Sequence, residues 1–190
     1  MKVERILPFA RSLLERAIKP GDTVVDATIG NGHDTLFLSH LVGESGRVYG
    51  FDVQRAALEE TTKRLKEHNV LNRVTLFHES HDQLSSLLPD SLKGTLTGAV
   101  FNLGYLPGGD KQIVTTPSST IHAIEQLIHW LAPEGIIVLV IYHGHAEGEV
   151  EKQALMQYVK QLDQKLVHVL QYQFINQKNN PPFIVAIEKR

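Results

Sequence analysis

Asp26, Gly30, Gly32 and Asp52 stand out chemically, because two acids and two glycines fall at spacings that could hold a nucleoside. The run Thr23-Val24-Val25-Asp26-Ala27-Thr28-Ile29-Gly30-Asn31-Gly32-His33-Asp34-Thr35 passes from an apolar β-like stretch through a glycine loop into a helical pattern. Glycines let the backbone turn tightly and lie against a ligand, and the helix that follows presents N–H groups with no intrahelical partner. A second β-like run, Arg47 to Asp52, ends on an acid about 20 residues beyond the glycines, where a carboxylate can take both hydroxyls of a ribose. The candidate binding residues are therefore Asp26, Thr28, Gly30, Asn31, Gly32, Asp34 and Thr35 on the first turn, with Asp52 and Gln54 on the second.

The loop departs from a dinucleotide fingerprint in two ways. Thr35 stands where G-x-G-x-x-G would have its third glycine, and Asp26 places a carboxylate just before the loop. A carboxylate there repels a pyrophosphate and attracts the ammonium of an amino-acid-bearing cofactor, directly or through water. S-adenosylmethionine (SAM) meets both conditions: it has a ribose for Asp52, an ammonium for the Asp26 side and no phosphate. The expected product is S-adenosylhomocysteine (SAH).

A second group of candidates follows a fourth β-like run, in Asn102-Leu103-Gly104-Tyr105-Leu106-Pro107-Gly108-Gly109-Asp110. Asn102 to Tyr105 resembles the Asn-Pro-Pro-Tyr element of amino-methylating transferases. That resemblance implies that the Asn102 amide oxygen and the next backbone carbonyl accept hydrogen bonds from a target amine, while Tyr105 stacks on the target base. Carbonyl acceptors orient N–H bonds and so aim the nitrogen lone pair at a methyl sulfonium, a displacement that depends mainly on positioning. Leu103-Gly104 replaces the two prolines, so the loop is expected to be less stiff. Asp110 completes the expected acceptor site. In Tyr142-His143-Gly144-His145, His145 and Tyr142 are candidates for proton handling and His143 for the substrate mouth. His-x-His without cysteines or dense carboxylates is a weak metal signal, and no metal is expected.

The elements that must hold these residues are legible in the hydrophobic periodicity. Residues 4–18 carry apolar side chains at helical spacing and stop at Pro20-Gly21, which predicts a leading helix. β-like runs at 23–28, 47–52, 74–79, 96–103 and 135–142 alternate with helical patterns near 34–42, 54–68, 81–88 and 118–131, the order of a parallel sheet with helices on both faces. A helix over 147–162 leads to runs at 165–174 and 182–188, joined by a loop too short for a parallel crossover, so this pair is antiparallel. The prediction is an α/β fold of one domain over 1–190: a seven-stranded, mostly parallel sheet of the class I methyltransferase, Rossmann-like kind. Proteins of that class hold the adenine after the third strand, which adds Ser80 and His81 to the cofactor candidates, and Asn102 at the end of the fourth run is a cofactor candidate as well as an acceptor one. The Gly-, Pro- and Thr-rich segment 104–119 leaves a strand's carboxyl end, where open parallel sheets bind ligands.

Composition narrows the class further. The 190 residues include no cysteine, which removes disulfides, thiolate metal sites and cysteine nucleophiles. A formal net charge of −2 provides no global basic field, so any nucleic-acid contact has to be local, with Lys111, Lys178, Lys189 and Arg190 as candidate phosphate contacts. The charged N-terminus and the lack of long apolar runs predict a soluble cytoplasmic protein with no membrane partner.

Ile6-Leu7-Pro8-Phe9-Ala10, the glycine loop, Phe51-Asp52-Val53-Gln54, Asn102 to Lys111 and Tyr142 to His145 together resemble a bacterial family long labelled rRNA methylases. Members of that family, known as MnmM, are tRNA 5-(aminomethyl)-2-thiouridine methyltransferases, and the likeness runs over essentially the whole chain. It implies methyl transfer from SAM to the exocyclic primary amine of a modified wobble uridine, with tRNA as partner through its anticodon loop. A homodimer is a further expectation. The nearest alternative is an rRNA or small-amine methyltransferase with the same cofactor residues. A non-catalytic nucleic-acid-binding module is disfavoured by the Asn102 to Tyr105 element, and a dinucleotide oxidoreductase by Thr35, Asp26 and the terminal hairpin.

Overall fold

The computed structural model describes residues 2–104, 115–144 and 146–190. Seven strands form one sheet in the order β3-β2-β1-β4-β5-β7-β6, with β1 Thr23–Asp26, β2 Arg47–Phe51, β3 Val74–Phe77, β4 Leu96–Leu103, β5 Leu131–Ile141, β6 Val167–Tyr172 and β7 Phe183–Lys189. The first five run parallel, and β7 is antiparallel to both β5 and β6. This is the expected class I methyltransferase sheet. Its order reverses between β1 and β4, and such switch points open a crevice at the strands' carboxyl ends.

The helices are α1 Ile6–Ala17, α2 His33–Val42, α3 Arg55–Glu67, α4 Leu84–Leu87, α5 Pro117–Trp130 and α6 Ala146–Val159. Successive side chains of a strand point to opposite faces, and β5 shows why its run lacks polar alternation. Ile137, Leu139 and Ile141 enter a core with Ala123, Ile124 and Leu127 of α5 and Leu155 of α6. Ile136, Val138 and Val140 enter a second core with Ala10 and Leu14 of α1 and Leu38 of α2. A strand covered on both faces can be apolar throughout. The leading helix is held in place by Phe9, whose ring stacks 4.0 Å from that of Tyr172, and by the Tyr172 hydroxyl, which donates to the Glu4 carbonyl at 2.7 Å.

Two elements depart most from the sequence expectation. β5 begins at Leu131 instead of 135, because Leu131 pairs with Leu96 before the register shifts at Gly98, and Glu134 takes up the irregularity with φ of 65°. The predicted helix 81–88 is a 3-10 turn, His81–Gln83, running into the single turn of α4. None of the described helices is long and apolar enough to cross a membrane.

Candidate active site

β1 ends on Asp26, which is fully buried. Its Oδ2 accepts from the Thr35 hydroxyl at 2.6 Å and its Oδ1 from the Thr28 N–H at 3.2 Å, so the acid ties both ends of the glycine loop together. Burial pushes its pKa up to about 7, against the opposing effect of the Thr35 hydrogen bond. With no exposed surface, Asp26 does not offer the direct contact to an ammonium that its position suggested; it shapes the loop instead.

The loop itself is gripped from outside by α3. The Arg64 Nε donates to the Asn31 carbonyl at 2.7 Å, and the Thr61 hydroxyl to the Gly30 carbonyl at 3.2 Å. Gly32 sits at φ 74°, and a Cβ there would lie 2.5 Å from Thr61 Oγ1, so this position requires glycine both for its conformation and for the close approach of α3. α2 then starts at His33 with no described side chain capping it, which leaves its first-turn N–H groups facing the site.

Asp52 and the glycine loop meet directly. Asp52 Oδ2 accepts from the Gly30 N–H at 2.9 Å, and its Oδ1 accepts from the Gln54 N–H at 2.8 Å at the start of α3. An ionised carboxylate has about four acceptor positions, so two remain for a ribose.

The acceptor element lies on the far side of the loop. Thr28 Oγ1 accepts from the Asn102 N–H at 2.7 Å, and Asn102 Nδ2 donates to Asp34 Oδ2 at 2.7 Å. Asp34 also takes Arg11 Nη2 on its Oδ1 at 3.3 Å. The Leu103 carbonyl, the second acceptor implied by the Asn-Pro-Pro-Tyr likeness, receives the Tyr142 N–H at 3.1 Å and keeps one lone pair. A cleft of about 640 Å³ opens between α1 and the carboxyl ends of β1, β4 and β5, lined by Arg11, Asn31, Asp34, Asn102, Tyr142 and His143 among others. Gly30 lines it too and joins it to Asp52.

Other expected residues fall in varied places. His81 turns its ring inward, with Nδ1 at 2.9 Å from the Ala27 carbonyl and an edge contact to Phe101, and burial pushes its pKa down. Ser80 is half-buried just before that turn. His143 is buried at the cleft wall and donates from Nε2 to the Pro181 carbonyl at 3.0 Å. Lys189 Nζ donates to the Leu131 carbonyl and Arg190 Nη1 to the Gln164 carbonyl, at 2.7 and 3.2 Å, which ties both cations to the protein's own backbone. Tyr105, Asp110, Lys111 and His145 lie outside the described residues. Sequence reasoning missed Arg11, Thr61 and Arg64. Their helices carried an amphipathic signal, but nothing in it said which polar side chains would reach the loop.

Comparison with known proteins sharpens the picture. The profile of a family described as "Putative rRNA methylase" matches residues 48–188. The chain belongs to this family. A crystal structure of a member of that description from Clostridium thermocellum is 43% identical, covers 100% of both chains and superposes with a TM-score of 0.96. A "putative methyltransferase" from Streptococcus mutans, solved in complex with SAH, is 36% identical over 99% of each chain with a TM-score of 0.89. A curated relative, the chloroplastic tRNA (mnm(5)s(2)U34)-methyltransferase of Arabidopsis thaliana, is 38% identical over 150 residues, 75% of this chain and 54% of that protein. The chain thus spans about half the length of the curated relatives it matches. More distant likenesses, such as a Thermotoga maritima O-methyltransferase at 14% identity and a TM-score of 0.68, share the fold.

Proposed function

We propose that the protein is a SAM-dependent methyltransferase that acts on RNA and methylates the exocyclic amine of an aminomethyl uridine at the wobble position of tRNA. The observation that carries this reading is the Asn102 amide, held by Asp34 through Nδ2 so that Oδ1 is the group presented to an incoming N–H. An acceptor is what an amine nucleophile needs, because it fixes the N–H bonds and leaves the lone pair directed.

The cofactor part rests on the loop. Asp52 beside the Gly30 N–H suits a ribose, the close packing of Gly32 on Thr61 keeps the loop thin, and the cleft beyond it accommodates a ligand without phosphate. When bound, SAM supplies an electrophilic methyl group on a sulfonium and leaves as SAH. Asp52 and the loop bind, and Thr28 and Asp34 hold Asn102 in place.

An alkylamine has a pKa of roughly 10, so only about one molecule in a thousand is neutral at pH 7, equivalent to about 4 kcal/mol. A partly desolvated cleft lowers that cost by disfavouring the ammonium. Tyr142 is not suited to take the proton: burial, and then the charge of Asp34, push its phenol above its ordinary range, so it stays protonated at neutral pH. It serves better as an exposed ring at the mouth.

The wobble base supports the choice of RNA. It is already unpaired, so presenting it avoids the few kcal/mol of extruding a base from a duplex. The Arabidopsis relative is named for such a nucleoside. The family's description favours rRNA as the second reading. Labelled SAM incubated with tRNA from a strain lacking the protein, and with naked and assembled rRNA, separates the two. The expected result is a methylaminomethyl uridine in tRNA by mass, and label confined to rRNA would overturn the tRNA assignment.

A further inference from the structure

Glu151 is a carboxylate on α6 with only 2% of its surface exposed. Burial of such a group costs free energy unless hydrogen bonds satisfy it, and two threonines do so here. Thr120, in the first turn of α5, donates to Oε1 at 2.7 Å, and Thr115 donates to Oε2 at 2.5 Å. Because the Thr115 hydroxyl gives its proton to Glu151, its lone pairs are turned to accept, and the Gly104 N–H fills one of them at 3.2 Å. The Thr115 N–H returns a bond to the Gly104 carbonyl at 3.3 Å.

Gly104 N belongs to the peptide whose carbonyl is that of Leu103, the acceptor next to Asn102. That peptide is therefore held at both ends: Tyr142 N–H on the oxygen and Thr115 Oγ1 on the nitrogen. The arrangement also accounts for the departure from the Asn-Pro-Pro-Tyr element. Gly104 has φ of 148°, which a proline ring locked near −65° cannot reach, and it supplies an N–H that proline lacks. Stiffness that ring closure provides in the double-proline loop is supplied here by hydrogen bonds running back to α6.

We propose that Glu151, acting through Thr115, is a positioning residue that fixes the Leu103–Gly104 peptide and so sets the acceptor geometry beside Asn102. This rests on the amine-acceptor reading given above. A staple that merely joined α5 to α6 would affect stability, whereas a positioning role affects the transfer step.

The test compares Thr115→Val, which keeps the shape and removes Oγ1, with Thr115→Ser, which keeps Oγ1, and with Glu151→Gln, all against Asn102→Ala. Single-turnover methyl transfer to tRNA at saturating SAM, SAH affinity by calorimetry and the thermal midpoint are read for each. Thr115→Val and Glu151→Gln should slow transfer roughly ten- to hundredfold with SAH affinity within about threefold, and Thr115→Ser should return to within about threefold of the parent. Since both act on one acceptor, Asn102→Ala combined with Thr115→Val should be no more than about threefold slower than Asn102→Ala alone. If Thr115→Val does not fold, the Glu151→Gln rate decides. Parental rates in both variants beside a slow Asn102→Ala overturn this inference and leave the amine-acceptor reading standing. A parental rate in Asn102→Ala removes that reading and the inference with it. Rate losses that multiply in the double variant, or that serine does not rescue, also overturn the positioning role.

Discussion

Asn102 and Asp34, 68 residues apart in the chain, meet across 2.7 Å with the amide nitrogen donating to the carboxylate. An ionised carboxylate only accepts, so this contact decides which way the amide faces. In sequence both are cofactor candidates, and Asn102 alone is also an acceptor candidate. In the structure one orients the other, and Arg11 in turn steadies Asp34 from α1.

Asp34→Ala should therefore slow methyl transfer by roughly ten- to hundredfold, the effect of losing about 1.4 to 2.7 kcal/mol of orientation. The Asn102→Ala, Asp34→Ala double variant should be little slower than Asn102→Ala alone. Single-turnover rates measure both. A parental rate in Asp34→Ala would mean that the amide is held by something else.

Asp52→Ala should weaken SAH binding more than tenfold while the chain stays folded. Hydrogen bonds to a charged group contribute about 1.5 to 3 kcal/mol each, and this carboxylate also anchors the Gly30 and Gln54 N–H groups. Calorimetry on the folded variant is the check. Unchanged affinity would remove the ribose assignment at the end of β2.

Gly32→Ala should destabilise the protein by about 1 to 3 kcal/mol, because it combines a positive φ with a Cβ placed 2.5 Å from Thr61 Oγ1. Denaturant titration of Gly32→Ala with and without Thr61→Ala separates the parts. The double variant should recover the clash but keep the conformational cost. No recovery would place the whole effect in the backbone.

The buried Asp26 should make stability fall with rising pH. Its folded pKa is raised from 3.8 to about 7, so the folded state binds the proton more tightly than the unfolded chain across that window. The contribution is fully present below the unfolded value and is lost as pH climbs through the folded one, by an amount on the order of a few kcal/mol. Asp26→Asn cannot ionise. Its thermal midpoint relative to the parent should rise between pH 5 and pH 8, and a constant difference would contradict the raised pKa.

The sequence alone determined the sheet and the place of the cofactor loop. Apolar runs with Asp26, Asp52 and Asn102 at or near their carboxyl ends mark strand ends, and a hairpin loop too short for a crossover forces β6 and β7 to be antiparallel. These signals are local: period, turn residues and the distance between two acids are all read along the chain. Partnership was not legible. The contacts Asp34 to Asn102, Arg64 to the Asn31 carbonyl and Thr115 to Glu151 span 68, 33 and 36 residues. Each arises from how a helix face settles on the sheet or on its neighbour. Asp26 shows the same division, since its position beside the loop is written in the sequence while its complete burial, and the rise in pKa that burial causes, came only with the tertiary structure. Tertiary packing alone decided which polar side chains lost water and which found each other, because desolvation and hydrogen-bond geometry depend on neighbours brought together from distant parts of the chain.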